Sequence, residues 1–350
     1  MKAGEVRVRL VAMDWLRGLA ALWVVFFHIN EPIQLRPDLY SNFCKLGWLG
    51  VPVFFVISGW CMSQLEQNAQ VPSRFVIARW LRIYPPYIIS VVLTLVVIGL
   101  SVAWRGVNDL HVSLPKTPVA ILSINGMATD PATATPNINW SYWTLPVEFA
   151  FYIIIYMAIV VSSMRSTSRR KNTGIVSLAL LGSGAVILLK VKTSATILFW
   201  MPFFPMFALG YYSHRLLPDA NHDQERNLAL AFLIVAIVLI LSDSHPIPRV
   251  LAAGFGALIL AAEANQKIRI KSTKTYAKAL SFLGAISYSL YLTHVPIACY
   301  FLIRLRAESI LDNQIVHAMA DGVIVVLACL AATAFFWFVE KPFHRLAKRL

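Results

Sequence analysis

The chain has 350 residues, of which 58% are hydrophobic and 14% are charged, and its mean hydropathy is +0.66. Because soluble domains carry about 25% charged residues, this composition excludes an ordinary water-soluble globule and favours a protein that crosses a membrane several times. The net charge of +14 suggests nucleic-acid binding, but basic residues that flank membrane helices on the cytoplasmic side explain its sign. No nucleic-acid partner is therefore predicted.

Ten hydrophobic stretches predict an all-α fold, a polytopic transmembrane helix bundle of about ten spans. With the N-terminus placed inside, 21 of the 31 Lys and Arg residues fall in cytoplasmic segments. This bias predicts cytoplasmic N- and C-termini and a multi-pass protein of the plasma (inner) membrane, in contact with membrane lipid. Residues 1–350 are predicted to form one membrane-embedded domain with no appended soluble domain. The stretches cover approximately residues 10–30, 47–64, 84–104, 143–163, 174–189, 196–213, 228–241, 250–264, 282–303 and 315–338.

The first stretch, LVAMDWLRGLAALWVVFFHIN, carries Asp14, Arg17 and His28 in a run long enough to cross the bilayer. Arg17 and His28 are eleven residues apart and lie within about 20° of one helical face, and Asp14 lies close to that face. Considered one at a time, Asp14 and Arg17 are explained by a structural ion pair, and His28 is explained by an interfacial hydrogen bond. Because a charge in a membrane segment costs about 2.5–3.5 kcal/mol, their alignment favours a functional groove.

Three arginines precede the third stretch, in the segment SRFVIARWLRIYPPYI. Arg74, Arg79 and Arg82 either anchor the helix on the cytoplasmic side or form a phosphate site, since Arg79 and Arg82 share one helical face. The long loop over 105–139, rich in Pro, Thr and Asn, is either a passive connector or a cover for an extracytoplasmic substrate.

The fourth stretch opens with NWSYWTLPVEFAFY and carries Glu148 near its outer boundary. A lone membrane carboxylate pairs with Arg17 or hydrogen-bonds to a neighbouring helix. The first stretch is predicted to run outward and the fourth inward, so His28 and Glu148 are expected at similar depths, where a carboxylate orients an imidazole.

The ninth stretch, FLGAISYSLYLTHVPI, places Tyr288 and His294 in a helix rich in hydroxyl groups. These hydroxyls either satisfy partners in neighbouring helices or, with His294, line the same cavity as His28. The closing segment FFWFVEKPFHRL contains Glu340, which is interpreted as part of an inner-face anchor. The four cysteines, at positions 44, 61, 299 and 329, have neither disulfide nor metal-site spacing, and no metal is predicted.

In chain order these motifs resemble the integral-membrane acyltransferase family 3, the O-acetylase group that acts on cell-surface polysaccharides and some secreted small molecules. The resemblance covers roughly residues 10–345, and it departs from the family pattern at Thr144, where Ser is usual. Each motif alone is a weak signal, but together they follow the family's order. The matching segments are DWLRGLAAL with ten residues between Arg17 and His28, FFVISG, the R-x-x-R run, WTLPVE, SYSLYLTHVP and EKPF.

The resemblance implies a membrane O-acyltransferase, most often an O-acetyltransferase. Such an enzyme moves an acyl group from cytoplasmic acyl-CoA (acetyl-CoA) to a hydroxyl of an extracytoplasmic carbohydrate or glycolipid acceptor. His28 then acts as general base or transient nucleophile, Glu148 orients it, and Arg17, partnered by Asp14, stabilises the inner cavity. The donor's phosphates contact Arg74, Arg79 and Arg82, and the substrate cavity is lined by Trp143, Thr144, Tyr288 and His294.

Two other classes remain open at this point. One is a proton-coupled transporter of sugars or lipid-linked intermediates, in which the buried polar residues form a proton relay. The other is a catalytically silent membrane scaffold. The sequence names neither the acceptor nor the acyl group, and it does not give the oligomeric state.

Overall fold

The computed structural model describes residues 10–31, 38–68, 71–105, 139–164, 173–191, 198–217, 223–242, 246–265, 275–305 and 313–349, which form helices and turns and contain no strand. Twelve α-helices occur in this part of the chain. They are α1 (Val11–Asn30), α2 (Leu39–Lys45), α3 (Gly50–Asn68), α4 (Pro72–Arg105), α5 (Thr144–Met164), α6 (Thr173–Leu188), α7 (Phe204–Arg215), α8 (Asp223–Leu241), α9 (Pro246–Ala264), α10 (Thr275–His294), α11 (Gln314–Phe335) and α12 (Lys341–Arg349).

Seven helical stretches of the described chain are long and apolar enough to cross a membrane. Two shorter apolar helices, Gly174–Leu188 and Arg226–Leu241, accompany them. The predicted all-α membrane bundle is confirmed at this level, whereas the number of ten spans and the cytoplasmic placement of both termini stay predictions. The predicted loop at 106–138 lies outside the described residues, as do the basic segments 1–9, 165–172 and 266–274, on which part of the orientation prediction depended.

Helix α4 begins twelve residues before the predicted third stretch. It runs unbroken over Pro72–Arg105 with Pro85 and Pro86 inside it, so Arg79 and Arg82 project from the same continuous helix that crosses the bundle. The hydropathy profile does not indicate this first part of the helix, because three arginines lower the mean hydropathy there. Arg79 and Arg82 are partly exposed and line an internal cavity, where a charge costs less than it does in lipid.

Two glycines set the packing of α1 against α10. A Cβ at Gly18 would lie 2.9 Å from the backbone nitrogen of Gly284, and a Cβ at Gly284 would overlap the carbonyl oxygen of Asp14. Small residues allow such close backbone approach in a membrane bundle. Gly59 and Gly210 play the same part between α3 and α7, where an added Cβ would overlap the facing carbonyl oxygens of Phe207 and Val56.

Polar contacts fix α1 at both ends. At its start, the carboxylate of Glu263 on α9 accepts hydrogen bonds from the backbone N–H groups of Val11 (3.0 Å) and Ala12 (2.7 Å), which have no partner within the helix. At its end, Asn30 donates to Asp321 on α11 at 2.7 Å, and Tyr40 donates to the same oxygen at 2.5 Å. The face of α1 that carries Arg17 and His28 is therefore held in one position.

Candidate functional site

One internal cavity is lined by the arginines of α1 and α4. Arg17, Arg79 and Arg82 converge on it, and the carboxylate of Glu148 lines it as well. Its volume is about 100 Å³, enough for several water molecules or one narrow organic chain. We call it the arginine cavity.

Two carboxylates offset the charge of this cavity. The Tyr152 hydroxyl donates to Glu148, and Ser58 donates to the same oxygen at 3.5 Å. Glu340 is 4% exposed, accepts a hydrogen bond from Ser289 at 2.6 Å, and is an electrostatic neighbour of Arg17 and Arg82. Buried guanidinium groups need such counter-charges because the interior cannot solvate them as water does.

The guanidinium of Arg79 keeps one donor unused. Its Nε–H is buried and has no hydrogen-bond partner among the described residues. A buried donor left unsatisfied costs about 1–3 kcal/mol, so an acceptor group that enters the arginine cavity gains from pairing with it. The cavity is thus suited to a ligand that carries oxygen acceptors, such as phosphate or carbonyl oxygens.

Two histidines meet at the other end of α1. Nδ1 of His28 lies 2.7 Å from Nε2 of His294, and the two rings meet edge to edge in nearly one plane, with centroids 5.0 Å apart and planes 10° apart. Nδ1 of His294 lies 3.0 Å from the carbonyl oxygen of Leu290, one turn earlier in α10. His28 is 9% exposed and His294 is completely buried.

The helix pairing explains why these rings meet. Contacts at Gly18–Gly284 and at His28–His294 show that α1 and α10 run parallel. Each histidine stands ten residues after the glycine of its own helix, about 15 Å along the axis at about 1.5 Å per residue. Equal offsets on two parallel helices bring the rings to the same level.

His28 lines a second cavity of about 160 Å³, which we call the histidine cavity. Trp48, Trp143 and Phe203 contribute aromatic walls, and the guanidinium carbon of Arg249 lies 5.7 Å from the centre of a Trp48 ring. Val51, Phe55 and Tyr291 line both the histidine cavity and the arginine cavity. The two cavities are therefore adjoining compartments within one bundle.

Irregular helix geometry occurs next to two of the polar residues. A π-helical segment, Val295–Phe301, follows His294 directly and contains Pro296, and a second one, Phe336–Glu340, ends at Glu340. π-Helical turns are rare and are frequent at functional sites. In both segments the extra residue per turn shifts the register of the side chains that follow.

Most of the predicted site residues line one of these cavities. His28 and Trp143 line the histidine cavity, and Asp14 is buried on α1 as an electrostatic neighbour of Arg17. Those that line the arginine cavity are Arg17, Arg79, Arg82, Thr144, Glu148 and Tyr288.

Three predicted site residues lie outside the cavity, or have another contact than the one, that was expected for them. The ring that contacts His28 is His294, whereas Glu148 belongs to the arginine cavity and bonds to Tyr152. His294 contacts His28 without being among the residues that line the cavities described here. Arg74 is exposed at the start of α4, where the first helical turn is still outside the bundle.

Sequence reasoning missed several residues that line the two cavities or interact with their arginines. Glu340 was assigned to an anchor, although a carboxylate inside an apolar run is itself a signal of a buried polar site. Tyr152 follows Glu148 by one helical turn, a spacing that brings side chains together, and this signal was available. Arg249 and Tyr291 join the site only through tertiary packing, which no local spacing reveals.

His, Cys, Asp and Glu side chains do not cluster as metal ligands in the part of the chain that the structure describes. No group of three or more His, Cys, Asp and Glu side chains there is placed to hold a metal ion. The four cysteines form no disulfide bond with one another.

Comparison with known proteins relates this geometry to an enzyme family. Residues 10–340 match the acyltransferase domain of acyltransferase family 3. The chain is 23% identical to "Putative peptidoglycan O-acetyltransferase YrhL" of Bacillus subtilis (strain 168), over 94% of this chain and 54% of that protein. It therefore spans about half the length of that relative.

Two further relatives are covered over most of their length. "Putative membrane-bound transacylase BcsY" of Komagataeibacter xylinus is 27% identical over 92% of this chain and 80% of its own. "Putative acetyltransferase ORF330" of Acidianus two-tailed virus is 24% identical over 80% of this chain and 81% of its own. No solved structure gives a significant match to this chain. Since the family match extends over nearly all of the helical bundle, the chain belongs to acyltransferase family 3 and is a membrane-embedded acyltransferase.

Proposed function

We propose that this protein is an O-acyltransferase that moves an acyl group, most simply acetyl, from cytoplasmic acyl-CoA to a hydroxyl of an extracytoplasmic carbohydrate or glycolipid in the inner membrane. The observation that carries the proposal is the pair of adjoining cavities, one lined by three arginines and the other by His28. A donor with a charged head and a long neutral arm fits such a passage, because the head stays at the arginines while the thioester advances towards the histidine.

At the donor end, the phosphates of coenzyme A are proposed to bind Arg79 and Arg82. Their guanidinium groups share one helical face of α4 and line the arginine cavity, and planar guanidinium groups bind phosphate oxygens through paired hydrogen bonds. The unused Nε–H of Arg79 offers one such donor. Arg17 stands deeper and is proposed to contact the pantetheine amides.

At the acceptor end, the sugar is proposed to enter the histidine cavity. Trp48 and Trp143 supply aromatic faces there, and such surfaces pack against the apolar faces of sugar rings while the hydroxyls remain available for hydrogen bonds. Arg17 and His28 are about 16 Å apart along α1 at about 1.5 Å per residue, and this is the length that the donor's arm has to cover.

The reaction needs one base. His28 takes the proton of the acceptor hydroxyl, the hydroxyl oxygen attacks the thioester carbonyl carbon, and the carbon–sulfur bond breaks. The departing sulfur takes the proton back from His28, so that the products are the acyl ester and free coenzyme A. A positioned general base of this kind contributes about 10²–10⁴-fold to the rate.

The experiment uses the purified full chain in lipid nanodiscs with radiolabelled acetyl-CoA and a soluble sugar or glycolipid acceptor. Wild type is expected to release coenzyme A in step with label appearing on the acceptor, and His28→Ala is expected to lose at least about 10²-fold of that rate. His214→Gln is the matched control, because His214 is also buried and contacts Ser63 away from both cavities.

Two outcomes would contradict the proposal. Label transfer by His28→Ala at the wild-type rate, in protein with an unchanged unfolding temperature, removes His28 from the chemistry. Flux of a sugar across proteoliposomes coupled to protons, with no consumption of acetyl-CoA by wild type, identifies a transporter instead.

A further inference from the structure

We propose that His294 is a positioning residue that fixes the tautomer of His28, so that the basic lone pair of His28 resides on Nε2. This inference rests on the proposed function for its catalytic consequence, whereas the tautomer itself is a property of the resting protein. It begins from a chain of three groups, Leu290, His294 and His28, that are linked in sequence by contacts of 3.0 Å and 2.7 Å.

The direction of these hydrogen bonds follows from chemistry at one end of the chain. A backbone carbonyl oxygen has no proton, so in the 3.0 Å contact Nδ1–H of His294 donates to Leu290. A neutral imidazole protonated on Nδ1 has its lone pair on Nε2. Nε2 of His294 therefore accepts the 2.7 Å hydrogen bond, and Nδ1–H of His28 donates it.

For two neutral rings, this leaves His28 protonated on Nδ1 and basic on Nε2. The nitrogen that takes part in chemistry is set by the hydrogen bond that the other nitrogen makes. The two rings are nearly coplanar, with planes 10° apart, as a hydrogen bond between ring nitrogens requires, and His294 is completely buried, which holds the second ring in place. Without His294, a neutral His28 would divide between two tautomers and several ring orientations, and only a fraction would present a base on Nε2.

His294 also changes how a proton is shared after the reaction begins. When Nε2 of His28 accepts a proton from the acceptor hydroxyl, the imidazolium keeps its Nδ1–H bond to a neutral ring that is anchored on a carbonyl oxygen. The developing charge is thereby spread over a hydrogen-bonded chain that already has the required orientation. In this arrangement the second imidazole orients the base, as a carboxylate does in serine hydrolases.

Substitutions at position 294 test this role, with transfer from acetyl-CoA as the assay. A glutamine can place its side-chain oxygen where Nε2 of His294 lies and accept the same hydrogen bond, while a leucine of similar size cannot. We expect His294→Leu to lower kcat about 10²-fold with the KM for acetyl-CoA unchanged, and His294→Gln to recover kcat to within about tenfold of wild type. Equal losses in both variants, or a loss through KM alone, would show a merely structural role.

Nitrogen-15 NMR of histidine-labelled protein reads the tautomer without any substrate. The signals of His28, assigned by difference from His28→Gln, are expected to show a protonated Nδ1 and an unprotonated Nε2 in wild type and in His294→Gln, and a mixture in His294→Leu. Protonation of His28 on Nε2 in wild type would overturn the inference. Because this measurement needs no acyl transfer, it stands or falls separately from the proposed function.

Discussion

Replacing Gly284 by alanine should move His28 and His294 apart, although position 284 lies about 15 Å from the two rings along the helix axis. The new Cβ would overlap the carbonyl oxygen of Asp14 on α1, and ordinary contact begins only at 3.4 Å. Because both atoms belong to backbone or to a Cβ, no side chain can rotate away, and α1 and α10 must move apart by about 1 Å. The His28–His294 contact of 2.7 Å would then lengthen past about 3.5 Å and cease to be a hydrogen bond.

We expect Gly284→Ala to lower kcat for acetyl transfer at least tenfold and to destabilise the protein by about 1–3 kcal/mol, the usual cost of overpacking. Thermal unfolding in nanodiscs and steady-state kinetics measure the two effects. Gly254→Ala is the matched control: Gly254 is also in the middle of a helix, α9, but an added Cβ there meets nothing within 4 Å. Wild-type kcat and stability in Gly284→Ala would refute the packing argument.

The remaining predictions concern charge at the donor end and the anchor of α1. Arg79→Gln should raise the KM for acetyl-CoA at least tenfold and leave the rate of transfer from S-acetylpantetheine, which lacks the nucleotide phosphates, within about twofold of wild type. Arg74 is exposed on the same helix, and Arg74→Gln should change neither quantity. If Arg79→Gln impaired the use of acetyl-CoA and of S-acetylpantetheine equally, a phosphate contact would be excluded. Asp321→Ala should lower the free energy of unfolding by about 2–4 kcal/mol, because it removes the acceptor of two donors, the buried Asn30 and the half-buried Tyr40. Asp321→Asn, which keeps one side-chain oxygen, should lose less, and an unfolding curve of Asp321→Ala that overlays wild type would contradict this account.

Local periodicity was sufficient to predict the polar face of α1. Arg17 and His28 were expected on one stripe because eleven residues nearly complete three helical turns, and the structure places them on two adjoining cavities. The helical class of the fold followed from composition in the same way. The first inference uses only residues within one helix, where geometry is fixed by the backbone hydrogen bonds, and the second uses only the composition of the chain.

Contacts between helices were beyond this reasoning. Depth alone suggested Glu148 as the partner of His28, since two helices that cross the same bilayer place many residues at equal heights. Which of them meet depends on rotation about the helix axes and on close packing, and here Gly18 and Gly284 decide it in favour of His294. The start of α4 was missed for a different reason, because hydropathy scores a buried arginine as though it were exposed to lipid.

The helix crossing and the histidine pair form one physical unit. If only the two rings held α1 and α10 in their relative position, a single hydrogen bond worth about 1 kcal/mol net would have to prevent both helices from rotating and sliding against each other. The glycine contact removes that burden, because it limits rotation and translation of both backbones at a point of direct contact. The hydrogen bond then needs only to choose a tautomer. Backbone packing near one end of the bundle thus prepares the base near the other, and a substitution that touches neither cavity is expected to disable the chemistry.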